Sequence, residues 1–176
     1  MKTTIVLLLT VFTTLAGLAQ ETYTLSAEST LVIDGTSTLR DWSVTANTMM
    51  GKLKAETDMP KEITFEVPVA DIKSERGSTM DKKTFNALKG GQHPKVTFAL
   101  KEFKDNNAAS GTLNIAGVEK DVEVSTKMTD ADGKLTISGE HTITLQDYNM
   151  VPPSAMFGQI VVGDDVIVKF NLVFTK

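Results

Sequence analysis

The chain has 176 residues, 41% of them hydrophobic, which is enough for one domain with a sizeable core. Its 18 basic and 22 acidic residues leave a formal charge of −4, which disfavours nucleic acid and anionic surfaces as default partners. The absence of cysteine excludes a disulfide framework, a thiolate metal site and a cysteine nucleophile.

Met1–Lys2, the apolar run from Ile5 to Leu15 and Gly17–Leu18–Ala19 have the three regions of a secretory signal peptide. The run is shorter than the ~20 apolar residues of a spanning helix, and no cysteine is present to carry a lipid anchor. The expectation is a signal peptide over 1–19, cleaved before Gln20, and one exported domain over 20–176. Its destination is periplasmic or extracellular, with no stable membrane anchor. Loss of Lys2 leaves 17 basic against 22 acidic residues, so that 17 − 22 gives −5.

From Tyr23 onward apolar residues recur every second position, the signature of strands half-buried on a core. Tyr23 and Leu25, then Leu31 and Ile33, open the pattern. Gly35–Thr36–Ser37–Thr38 interrupts it before Trp42, Val44 and Ala46. Met49, Gly51, Leu53 and Ala55 continue the row, with Lys52 and Lys54 outward. Asp58–Met59–Pro60 is expected to be a turn, since proline fixes φ and cannot donate to a ladder.

The central unit runs from Ile63 to Leu100. Ile63, Phe65, Val67 and Val69 share one phase; Val96, Phe98 and Leu100 resume it. Between them lies a short helix. Ser78 and Asp81 have capping-box spacing at its start, and Gly90–Gly91 stand where a helix end favours the left-handed conformation.

Asp105–Asn106–Asn107 marks the next turn. Gly111, Leu113 and Ile115 follow, and Gly117 closes a tight connection into Val122, Val124, Thr126 and Met128. After Asp130–Ala131–Asp132–Gly133, the longest inward row is Leu135, Ile137, Gly139, His141, Ile143 and Leu145. An irregular segment, Asp147 to Gly158, carries Met150, Pro152, Pro153, Met156 and Phe157. The last row is Val166, Val168, Phe170, Leu172 and Phe174.

Short, evenly spaced strands with one helix give an all-β, antiparallel sandwich or barrel. Eight closed strands are about the size that holds one small ligand, and closure removes exposed edges.

Chemistry-bearing constellations are sparse. There is no G-x-S-x-G elbow and no S-x-x-K, so the chain is read as a non-enzyme. His93 precedes Pro94 at a turn. His141 lies on an apolar row, where an imidazole must find hydrogen bonds or stay neutral. Asp130, Asp132, Asp164 and Asp165 sit beside glycines and are read as turn residues of hairpins. The spacing of a calcium loop is missing, so neither a metal nor a cofactor is expected.

Met80 through Lys89 into His93–Pro94–Lys95–Val96–Thr97–Phe98 resembles the central signature of the YceI-like family. So do Gly35–Thr36–Ser37–Thr38–Leu39–Arg40–Asp41–Trp42, Gly111 through Val118, and Val162–Gly163–Asp164–Asp165–Val166. Their order spans nearly all of 20–176. The resemblance implies an exported, lipocalin-like antiparallel barrel of about eight strands, with one short helix inserted between central strands. It implies a long isoprenoid ligand, of quinone or polyprenyl type, held in an apolar interior without chemistry on it. Where better-known members carry an arginine and a histidine in the central helix, this chain has Ser78–Thr79–Met80–Asp81–Lys82–Lys83. Lys82 and Lys83 are the cations available there.

On this reading the ligand contacts are Trp42, Val44, Phe65, Val67, Phe98, Leu113, Ile137, Gly139, His141, Ile143, Val168, Phe170 and Leu172. Met150, Met156 and Phe157 cover a barrel end or line its mouth, because methionine adapts to irregular apolar shapes. Gly139 is the inward position without a side chain, where added bulk would plug the tunnel. The alternative function is an envelope protein-interaction or stress-response module, whose barrel would be filled by its own side chains.

Overall fold

A computed structural model of the chain describes residues 20–57, 59–104, 107–155 and 157–176. The expected signal peptide, Asp58, Asp105, Asn106 and Met156 lie outside these residues. Twelve strands form in chain order. They are β1 (Glu21–Leu25), β2 (Thr30–Ser37), β3 (Trp42–Ala46), β4 (Met50–Glu56), β5 (Met59–Pro68) and β6 (Ile72–Lys73). After the helix α1 (Ser78–Ala87) come β7 (Lys95–Lys104), β8 (Ala108–Ile115), β9 (Val118–Ala131), β10 (Lys134–Thr144), β11 (Ser154–Ala155) and β12 (Ile160–Thr175).

Strand pairing joins them into a closed, antiparallel barrel of eight staves. The first three staves are each bent: β1 runs on into β2, β3 into β4, and β5 into β6 through a 3-10 turn at Val69–Asp71. β3 pairs with β2 and β6, and β4 pairs with β1 and β5. From β5 the sheet proceeds through β7, β8, β9, β10 and β12. β12 closes the ring, pairing with β2 along Val162–Asn171 and with β1 at Phe174 and Thr175. At the break between β1 and β2, the buried Ser29 hydroxyl takes the Val173 N–H at 2.9 Å. That backbone donor would otherwise be orphaned in the core.

Period-two rows land inward as expected, and turns fall where φ demands them. Ala116–Gly117 and Asp132–Gly133 both take positive φ at two successive residues, the backbone of the tight hairpin turns that match strand twist. Four local expectations need correction. Ser78 does not cap α1: the N-cap is Gly77, and the Asp81 carboxylate instead accepts the Ser74 N–H at 2.7 Å. At the other end Lys89, not a glycine, is the left-handed residue, with φ of 53°. Gly90 is required there because the Phe85 ring occupies the place of its missing Cβ. Pro60 is not in a turn but starts β5, buried and paired with Ala55, a strand-end position where its missing N–H is tolerated. Asp164 and Asp165 lie within β12 rather than in a hairpin turn. Asp164 accepts the Gln146 N–H at 3.0 Å, and Asp165 accepts the Thr144 hydroxyl at 2.7 Å.

The two barrel ends differ. One end, reached by the turns after β4, β7 and β9, is packed solid by Tyr23, Leu53, Leu135 and Phe174, with Phe174 at 0% exposure. At the other end the chain makes its longer excursions: 38–41, the segment with α1, and 145–159. Two further clusters, around Val44–Val67–Ile72 and around Ile115–Ile143–Val166, form walls there rather than a plug.

Candidate functional site: an apolar cavity with a cationic mouth

Above the packed floor the barrel is hollow, with a cavity of about 430 Å³. That lies within the ~300–1,000 Å³ range of small-molecule pockets. Trp42, Phe65, Phe98, Leu113, Val168 and Phe170 point inward yet are only half-buried, because they face open space rather than neighbouring side chains.

Nearly all the residues singled out from sequence meet on this one surface. Trp42, Val44, Phe65, Val67, Phe98, Leu113, Ile137, His141, Ile143, Met150, Val168, Phe170 and Leu172 all line it. Gly139 does not. Its missing Cβ would fall against the Ser125 carbonyl and 2.9 Å from Cζ of Phe170, its cross-strand partner. The inward space at Gly139 is therefore taken by the Phe170 ring, and the expected open position does not exist. Phe157 is also misplaced by the sequence reading. It sits at the tip of the β11–β12 hairpin with φ of 55° and is fully exposed. Val151, Pro153, Ile160 and Val162 line the mouth instead. Met156 lies outside the described residues.

Inside the cavity polar groups are few. His141, half-buried among apolar neighbours, has its imidazole pushed below its ordinary value by desolvation, so it is neutral at pH 7. Thr126, deep on β9, has a buried hydroxyl without a hydrogen-bond partner among the described residues.

The mouth is built differently. Helix α1 lies across it with no fully buried residue. Met80, Lys83, Thr84, Ala87 and Leu88 face the hollow. Those spacings are the i, i+3, i+4, i+7, i+8 stripe of one helix face. Lys73 stands 3.9 Å from the Asp81 carboxylate, which helps tie α1 to β6. The 37–41 loop contributes to the same lining and is folded around one hydroxyl. Ser37 Oγ donates to the Arg40 carbonyl at 2.6 Å and accepts the Arg40 N–H at 3.2 Å. Thr38 pins the same loop to β12, its N–H reaching the Val161 carbonyl at 3.0 Å. Arg40, Arg76 and Lys83 are the charged residues of the lining.

Sequence reasoning named Lys83, beside Lys82, but missed the two arginines of this cationic set. Its signals were present: the chain holds only two arginines, and Lys83 belongs to the helical stripe that begins at Met80. The four stretches that carry the family resemblance all reach this open end. The 35–42 turn, the α1 segment, the β8–β9 turn and the start of β12 are its rim.

The family model described as YceI-like domain matches residues 23–174. Among solved structures, Burkholderia cenocepacia BcnA superposes with a TM-score of 0.70 at 18% identity, covering 84% of this chain and 96% of that one. A polyisoprenoid binding domain from Saccharophagus degradans gives a TM-score of 0.70 at 13% identity, over 87% of this chain and 97% of the other. The Campylobacter jejuni YCEI protein gives 0.55 at 22% identity, over 66% and 74%. At these identities the likeness is one of fold. No curated protein matches the chain.

Proposed function

The chain belongs to the YceI-like domain family, and from that premise we propose that it is an exported carrier that sequesters a long isoprenoid inside its barrel. One observation carries the reading: the barrel is packed at one end by Tyr23, Leu53 and Phe174 and hollow at the other. An interaction module with a side-chain-filled barrel would not leave that space. The polyisoprenoid binding domain from Saccharophagus degradans, with the same fold, supports the ligand class.

The energetics are sufficient. Burial of a CH₂-sized group contributes about 0.8 kcal/mol, so ten carbons supply on the order of 8 kcal/mol before ordering costs. The walls provide area and dispersion, since Phe65, Phe98, Leu113 and Phe170 offer no hydrogen bonds. Binding without a chemical step is supported by the lining, which among the described residues brings one imidazole and no carboxylate to the cavity. Export is proposed from the three-part pattern of residues 1–19.

Mass spectrometry of an organic extract of natively purified protein tests the proposal. The expected result is an isoprenoid in near-stoichiometric amount. An extract free of apolar ligand, from protein that also takes up no added isoprenoid, would refute it.

A further inference from the structure

We propose that the rim of the open end is a docking surface for a lipid bilayer that carries anionic lipid, with Leu39, Val151 and Phe157 entering its interfacial layer. This rests on the carrier reading and adds where the ligand is exchanged, since a long isoprenoid resides in a bilayer rather than in water.

The first ground is where exposed apolar surface gathers. Leu39, Met50, Val151, Phe157, Val161 and Ile167 are the exposed large hydrophobic residues among those described. Met50 and Ile167 stand singly on β4 and β12, as scattered surface hydrophobes usually do. The other four belong to segments that backbone pairing joins into one ridge. The Thr38 N–H donates to the Val161 carbonyl at 3.0 Å, and the Val161 N–H donates to Thr38 Oγ1 at 3.1 Å. On its other edge Val161 pairs with Ser154 of β11, and the Val162 N–H reaches the Pro153 carbonyl at 3.1 Å. Leu39 at 63% and Val151 at 84% exposure both line the hollow and still face solvent, so they form its lip.

The second ground is what the ridge is made of. From Tyr148 to Gly163 the chain carries no charged residue, although 23% of the whole chain is charged. Phe157 is the sharpest case. It and Gly158 turn the β11–β12 hairpin with φ of 55° and 86°, paired positive angles that Asn-Gly or Asp-Gly adopt readily. A phenylalanine there takes a backbone conformation unfavourable to bulky side chains, and its ring is wholly in solvent. The core gains nothing from it. A bilayer interface does, because aromatic rings settle at the level of the headgroups.

The third ground is charge. The chain has a net charge of −4, yet the charged residues that line the opening are Arg40, Arg76 and Lys83, all three exposed. Asp41 and Glu75 are exposed beside the arginines but do not line the opening. An anionic membrane is an extended surface, so cations spread around a rim can meet it without converging on one point.

Co-sedimentation of the protein as exported with two kinds of vesicle tests the proposal: phosphatidylcholine alone, and phosphatidylcholine mixed with phosphatidylglycerol. Wild type is expected to partition onto the mixed vesicles and more weakly onto the neutral ones, the difference shrinking as salt is raised. Phe157→Asn should weaken partitioning onto both by about tenfold, the scale of withdrawing one large apolar side chain from an apolar layer. Asparagine accepts the left-handed conformation, so the melting temperature of this variant should hold or rise while its vesicle binding falls. Arg40→Gln/Lys83→Gln should remove the preference for mixed vesicles. Ile167→Ser, off the rim, should change neither. Geranylgeraniol added from ethanol should bind wild type and Phe157→Asn alike, whereas Phe157→Asn should take it up from vesicles more slowly.

Wild type that stays in solution with both vesicles, or Phe157→Asn that sediments like wild type, would overturn the docking surface. Uptake of geranylgeraniol from ethanol would then leave the carrier reading standing. Equal partitioning onto neutral and mixed vesicles would overturn the anionic partner. Loss of vesicle binding in Ile167→Ser equal to that in Phe157→Asn would overturn the rim as its location. Docking by wild type without uptake of geranylgeraniol from either source would support the surface and overturn the carrier reading.

Discussion

The indole of Trp42 lies against Gly35, its cross-strand partner in the β2–β3 pair, and its Nε1–H donates to the Thr36 carbonyl at 2.9 Å. The ring is thereby held on the cavity wall at the base of the loop that carries Arg40. A Cβ at position 35 would overlap the six-membered ring of the indole. Gly35→Ala is therefore expected to push Trp42 into the cavity, destabilising the fold by ~1–3 kcal/mol, the usual scale of overpacking. It should also weaken isoprenoid binding. Chemical denaturation and ligand titration on the same variant check both. Unchanged stability would mean that the ring does not rest on Gly35.

Gly139→Leu is expected to unfold or strongly destabilise the protein rather than plug it. The new side chain would meet the Ser125 carbonyl and the Phe170 ring, and a backbone oxygen in a paired strand has nowhere to go. Thermal unfolding decides the point. A folded variant with native stability that has lost ligand binding would restore the open position at Gly139.

Inward and outward positions were legible because period two is a property of the single strand. What lies opposite was not. The Phe170 ring fills the space at Gly139 because β10 pairs with β12 in that register, a long-range fact. Phe157 failed for a related reason: its segment forms a hairpin with β12, and the tip of a hairpin points away from the barrel. Position along the barrel was equally hidden. Phe174 and Phe170 share a row, yet one is in the floor and the other faces the cavity. The cationic mouth gathers residues from the β2–β3 loop, the turn before α1 and α1 itself, so no local spacing announced it. The family resemblance conveyed the barrel, but not which end is open.

The floor carries a direct prediction. Phe174 is fully buried between Leu53, Leu135 and Tyr23. Phe174→Ala should cost ~3–5 kcal/mol, the range for emptying a large aromatic site. A loss near that of a surface change, within about 0.5 kcal/mol, would mean that this end is not packed. Urea denaturation measures it.

His141 sets a pH dependence. Desolvation lowers its folded-state value below the ordinary 6.5 that it regains on unfolding. Above 6.5 both states are neutral and stability is whole; as pH falls through 6.5 the unfolded chain binds the proton first, and stability declines until the lower folded value is passed. His141→Leu should flatten that part of the stability profile relative to wild type. Unfolding curves taken across this window check the sign, and an unchanged slope in the variant would assign the effect elsewhere.

If the barrel is a carrier, an isoprenoid occupies the hollow above the Phe174 floor. Trp42 is the only tryptophan in the chain and stands on the wall of that hollow. Titration with a brominated geranylgeraniol, whose heavy atoms quench indole fluorescence on contact, reads occupancy directly. The expected result is saturable quenching that ends at one ligand per chain. Bound ligand that leaves Trp42 fluorescence untouched would contradict it.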